Sequence, residues 1–89
     1  MARNDIWDIL PSNTVIHCKN QEEDARVRAI LQSYNFKWAA GDAMTYSFWD
    51  EYEYEFCINP FDCLYASKTY YEKEGKKVIS TDEFLKHVN

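Results

Sequence analysis

The 89 residues include only two glycines, two prolines and three cysteines, and each scarcity closes off a class of chemistry. Gly41 and Gly75 are too few for a glycine-rich phosphate loop, and Gly75-Lys76-Lys77 lacks the P-loop spacing. An odd number of cysteines does not make a disulfide framework and fits the reduced thiols of an intracellular protein. No apolar run approaches the roughly 18 residues of a membrane-spanning helix. The start, Met1-Ala2-Arg3-Asn4-Asp5-Ile6-Trp7, lacks the continuous apolar core of a signal peptide, so the expected location is the cytoplasm. Positive charge is also short. Ten Lys and Arg against fifteen Asp and Glu give a formal charge of −5. That balance argues against direct, backbone-driven binding of nucleic acid and for a partner with a basic surface.

What the chain does have is aromatic mass. Seven Tyr, five Phe and three Trp make up 17% of the residues, within an ordinary hydrophobic content of 46%. A chain of this length makes one domain with a small core. Fifteen large rings exceed what such a core holds, so some are expected at the surface, where aromatic rings dominate binding energetics.

The order of elements predicts an α+β fold. An N-terminal arm, residues 1–13, carries the apolar cluster Ile6, Trp7, Ile9 and Leu10, which suits either the body of the protein or a second copy of the chain. A single domain, residues 14–89, follows. Thr14 to Lys19 reads as a first strand, rich in β-branched residues. Asn20, with Glu23 three positions on, marks a helix start. Val27, Ile30, Leu31 and Tyr34 form its apolar stripe, and Asn35 suits its left-handed end. Glu22 with Arg26 and Asp24 with Arg28 are i,i+4 pairs of the favourable orientation, expected to contribute about 0.2–0.5 kcal/mol each. Phe36 to Ala39 reads as a short strand. Ala43 to Trp49 alternates like a strand, although Trp49 to Tyr52 also suits a helical turn. Glu51 to Ile58 reads as a strand, Asn59 to Asp62 as a turn, and Cys63 to Ala66 as the partner strand. Ser67 to Gly75 reads as a polar loop and Lys77 to Ser80 as a last strand. Ser80 then caps a short C-terminal helix bearing Phe84, Leu85 and Val88. The expected architecture is a small, antiparallel-dominated sheet of four to five strands packed by one long helix.

Glu51-Tyr52-Glu53-Tyr54-Glu55-Phe56-Cys57-Ile58 alternates acidic and apolar residues with the period of a strand. Read so, Tyr52, Tyr54, Phe56 and Ile58 enter the core while Glu51, Glu53 and Glu55 form an outward row at roughly 6.7 Å spacing. Such a row imitates a nucleic-acid backbone to a protein that binds one, and it equally fits the solvated face of a half-buried strand. If Trp49 to Tyr52 is helical, Glu51 leaves the row. Trp49, Asp50, Glu51, Glu53 and Glu55 are therefore the candidate partner-binding residues. A second candidate site is a nucleotide site in which Tyr65, Tyr70 and Tyr71 stack on a base and Lys73 and Lys76, with Lys68 and Lys77 nearby, attract phosphate. Glu72 and Glu74 balance that cluster.

Catalytic and metal readings find no pattern. His17 and Cys18 are adjacent in a strand, point to opposite faces and cannot act as a nucleophile–base pair. Cys57 and Cys63 flank a turn without zinc-ligand spacing. No cofactor, no catalytic residue and no metal ligand is expected.

The run Val15-Ile16-His17-Cys18-Lys19-Asn20-Gln21-Glu22-Glu23-Asp24-Ala25, then Phe36-Lys37-Trp38, Trp49, Val78-Ile79 and Asp82-Glu83-Phe84, resembles small proteins encoded by phages and mobile elements. The similarity spans residues 14 to 85, while the arm Met1 to Asn13 is extra. It supplies no catalytic residues. The resemblance implies a context: small acidic phage proteins of this kind include anti-CRISPR proteins and other inhibitors of bacterial defence. These act by occupying the surface of a host nucleic-acid-binding protein or by sequestering a nucleotide signal.

Overall fold

The computed structural model describes residues 10, 11, 13–44 and 47–88. Four short strands, β1 (Thr14–His17), β2 (Phe56–Asn59), β3 (Leu64–Ser67) and β4 (Lys77–Ser80), form one sheet in the order β3-β2-β1-β4. β2 runs antiparallel to β1 and β3, whereas β1 and β4 are parallel. The sheet is thus mixed rather than antiparallel-dominated. The described residues form three helices, α1 (Gln21–Ser33), α2 (Lys68–Lys73) and α3 (Thr81–Val88), where one long helix and a short C-terminal helix were expected.

Register divides the side chains between two faces. Ile16 pairs with Ile58 and Ile79, and Ile58 with Tyr65, so these four share the first face. Val15 pairs with Val78, and Cys57 with Ala66, on the second. The first face carries the main core, where Val27 and Leu31 of α1 and Phe84 of α3 meet Phe36, Trp38, Met44 and the sheet. The second face has a cluster of only three buried residues, Val15, Cys57 and Tyr71, the last supplied by α2. β3 and β4 lie at opposite edges, so the connection between them carries α2 across this second face.

Local chemistry explains the helices. The Asn20 side chain accepts from the Glu23 amide at 2.8 Å, and Glu23 accepts from the Lys19 amide at 3.1 Å, a near relative of the capping box. α1 closes with the Phe36 amide on the Leu31 carbonyl and the Asn35 amide on Gln32, with Asn35 at φ 70°. α2 closes the same way, with Lys76 on Tyr71 and Gly75 on Glu72, Gly75 lying at φ 79°. Ser67 caps its start through the Tyr70 amide at 3.1 Å. The segment 67–75 is therefore a capped helix, not a loop.

Among the described residues one expected strand is absent and another is shortened. Phe36–Ala39 makes only a single bridge, Lys37 to Ala43, in a tight loop where the Trp38 amide donates to the Asp42 carbonyl. The acidic stretch is strand only from Phe56 onward. Ahead of it lie two 3-10 turns, Trp49–Glu51 and Glu53–Glu55, with Glu53 at φ 52°. A residue in the left-handed region breaks the two-residue alternation. Phe56 and Ile58 are buried as expected, but Tyr52 and Tyr54 are exposed. The partner strand begins at Leu64 because Cys63, at φ 58°, belongs to the turn.

Thr45 and Tyr46, within the ambiguous segment 43–49, lie outside the described residues, as do Ile6, Trp7 and Ile9 of the arm. Leu10 is buried in the protein's own main core, so it is not offered to a second copy.

Candidate functional site

The acidic segment is pinned at several points. Trp49 is half-buried, and its indole Nε1 donates to the Cys18 carbonyl at 3.2 Å. Gln21 donates to Asp50 at 3.2 Å, and the Tyr65 hydroxyl donates to Glu51 at 2.9 Å. Glu55 accepts from the Thr69 hydroxyl at 2.9 Å and from its amide at 3.3 Å, which ties the segment to the first turn of α2. These Thr69 bonds, hydroxyl first and amide second, hold the Glu55 pKa below its ordinary value, with Lys68 and His17 adding to the effect. The His17 ring Nε2 meets the Tyr54 carbonyl; a carbonyl only accepts, so the ring proton sits on Nε2. Three of the four candidate carboxylates thus hold the segment in place. Glu53, on the left-handed residue, is the exposed exception.

Pinning the segment presents Tyr52 to a cleft at the β3 edge. This cavity, about 530 Å³, lies between β3 and α2 and is lined by Tyr52, Leu64, Tyr65, Ala66, Tyr70 and Tyr71. Asn59, Asp62, Glu74 and Lys76 supply its polar wall. Three of the four exposed large apolar side chains of the described residues, Tyr52 (39% exposed), Leu64 (49%) and Tyr70 (53%), open onto it; the fourth is Tyr54 (65%). Tyr65 is embedded in a ring stack, 4.5 Å from Phe48 and in edge contact with Trp38 at 5.5 Å. Tyr71 is only 5% exposed. Its hydroxyl has no hydrogen-bond partner among the described residues, and burial, reinforced by Cys57 and Asp62, raises its pKa so that it stays protonated.

Of the two candidate sites only the second reaches the cleft, since Trp49, Asp50, Glu51, Glu53 and Glu55 do not line it. Tyr65, Tyr70, Tyr71 and Lys76 all line the cleft, and Tyr52 of the acidic segment joins them. Lys73 does not line it, and the Lys76 ammonium donates to Asn13 at 2.9 Å. Asp62 and Glu74, which sequence reasoning missed, reach the cleft through the turn after β2 and the end of α2. The Asn59 side chain fixes that turn, accepting from the Phe61 and Asp62 amides and donating to the Asp62 carboxylate at 3.2 Å.

Elsewhere, Asp24 is fully buried. It accepts from Arg28 at 3.0 Å and from Ser47 at 2.9 Å, while Arg28 also donates to the Met44 carbonyl. This pair, expected as a weak surface contact, is an internal clamp between α1 and the residues Met44 and Ser47. Cys18 and Cys57 are buried thiols, free of disulfides, on opposite faces of the sheet. Burial raises both pKa values, that of Cys57 to about 12, which keeps the thiols protonated and poorly nucleophilic. Among the described residues no group of three His, Cys, Asp or Glu is placed to hold a metal ion, and no helix is long and apolar enough to cross a membrane.

Comparison of the chain with protein-family models, with curated proteins and with solved structures gave no match.

Proposed function

We propose that this is a non-enzymatic binding protein that engages a basic surface on another protein through the acidic, aromatic segment 49–55 and the adjoining cleft. One observation carries the reading: exposed aromatic and apolar side chains converge with carboxylates on one cleft. Rigid tyrosines beside negative charge suit a partner that offers cationic side chains on apolar stems. The resemblance to phage-encoded proteins adds a context, inhibition of a bacterial defence or nucleic-acid-handling protein. The nucleotide reading ranks second. A cavity of about 530 Å³ has the size of a small-ligand pocket, but a phosphate entering it meets Asp62 and Glu74.

The test uses Glu53 and Tyr54, whose side chains make no hydrogen bond or ion pair among the described residues. Wild-type protein and a Glu53→Lys, Tyr54→Ala double variant are used to capture proteins from a bacterial lysate. The expected result is a nucleic-acid-handling protein retained by the wild type, released steeply by salt, and lost with the variant. The same proteins captured by both would overturn the reading. The nucleotide alternative predicts a raised thermal midpoint with cyclic nucleotides.

A further inference from the structure

We infer that the cleft between β3 and α2 receives an arginine side chain of the partner. The inference rests on the proposed protein-binding role and names what the partner inserts. Tyr71 carries it: a side chain more than nine-tenths buried, lining a cavity, with a hydroxyl that no described residue satisfies. That hydroxyl is not among the fully buried polar atoms left without a partner, so it keeps contact with the cavity and can accept from a group arriving there.

The chemistry of the walls selects that group. Asp62 and Glu74 stand against the single cation Lys76, whose ammonium is already engaged by Asn13. Among the charged groups near the Tyr71 hydroxyl, Asp62 favours its neutral form, so the local field is negative. An anion is therefore disfavoured and a cation favoured. Leu64, Ala66 and the ring of Tyr70 offer apolar and aromatic surface to the stem of a long side chain. A guanidinium fits better than an ammonium because it stacks on a tyrosine face. Its five planar N–H donors also reach several acceptors at once: the Glu74 and Asp62 carboxylates and the Tyr71 hydroxyl oxygen. A second copy of this chain is the weaker occupant, since it would bring the acidic rims of two clefts together.

N-acetyl-arginine amide, its lysine counterpart and its citrulline counterpart are titrated into the full chain at low salt, followed by NMR of the tyrosine rings. The arginine probe is expected to move the Tyr70 and Tyr71 signals and to bind at least tenfold more tightly than citrulline, which has the same shape without the charge. Lysine falls between them. Glu74→Gln and Tyr71→Phe should each weaken the arginine probe at least threefold, in proteins whose thermal midpoints show them folded. Equal binding of arginine and citrulline, equal binding of arginine and lysine, or signal changes confined to other surfaces would each overturn the inference. So would a concentration-dependent dimer that buries Tyr70. Failure here is separable from failure of the proposed function. If Glu53→Lys with Tyr54→Ala abolishes partner capture while Tyr71→Phe leaves it intact, the acidic surface stands and the arginine cleft falls.

Discussion

The two faces of the sheet are built for different ends. On the first, α1, α3 and the residues Phe36, Trp38, Met44, Phe48 and Trp49 bury a continuous core of aliphatic and aromatic side chains. Asp24, the one fully buried charge among the described residues, is held through Oδ2 by Arg28 and Ser47, while its Oδ1 has no partner among them. On the second, one six-residue helix covers Val15 and Cys57 with its own Tyr71 and leaves a cleft that Tyr71 lines. The first face supplies stability. The second is left open at its β3 edge, where the exposed Tyr52 and Tyr70 line the cleft. A domain of this size has little stability to spare, so an incompletely covered face marks where binding is expected.

The contrast is broken most forcefully at Asp24. Asp24→Ala leaves the Arg28 guanidinium without its carboxylate in a largely buried setting, and loss of one partner of a buried pair costs about 3–5 kcal/mol. Thermal denaturation should show a fall of more than about 10 °C for a domain this small. A fall under about 3 °C would mean that the clamp does not hold the first face together. On the second face the largest effect expected from a polar change is smaller. Ser67→Ala removes the cap of α2 and should cost about 1 kcal/mol in urea unfolding; no loss would mean that α2 does not depend on its cap.

Between these helices lies the Glu55–Thr69 latch, which predicts a pH dependence. The folded pKa of Glu55 is lowered, so the latch contributes fully above the ordinary value of 4.5 and is lost as pH falls through the lowered folded value. Wild type should be more stable than Glu55→Gln at neutral pH, and the difference should shrink on acidification below the ordinary value. A difference that stays constant or grows in acid would contradict the latch.

The same contrast explains what the sequence disclosed. Regular, core-facing periodicity was legible: β1, the α1 stripe of Val27 and Leu31 with its Asn20 cap, β4, and Phe84 on α3 all lie where their pattern places them. The alternation at 51–55 misled because period two is a backbone property, and the left-handed Glu53 breaks it without changing the pattern of residue types. Helix α2 did have a signal, Ser67 as cap and Gly75 as the left-handed terminator. Six residues with adjacent tyrosines give no stripe long enough to outweigh a polar composition. Asp62 and Glu74 reach the cleft only through the β2–β3 turn and the crossover of α2, relations that no local pattern encodes. The weight of Asp24–Arg28 was hidden for a similar reason: i,i+4 spacing is visible in sequence, whereas burial and the bonds to Met44 and Ser47 are tertiary.

The smallest expected effect is the most telling. If the second face is kept open for a ligand, the Tyr71 hydroxyl, which has no partner among the described residues, contributes nothing to the fold, and removing it costs no stability. The thermal midpoint of Tyr71→Phe, measured without any ligand, should equal or exceed that of the wild type. A drop of about 4 °C or more, on the order of 1 kcal/mol in a domain this small, would show that the hydroxyl serves the fold, and the cleft would lose its claim to be a binding site.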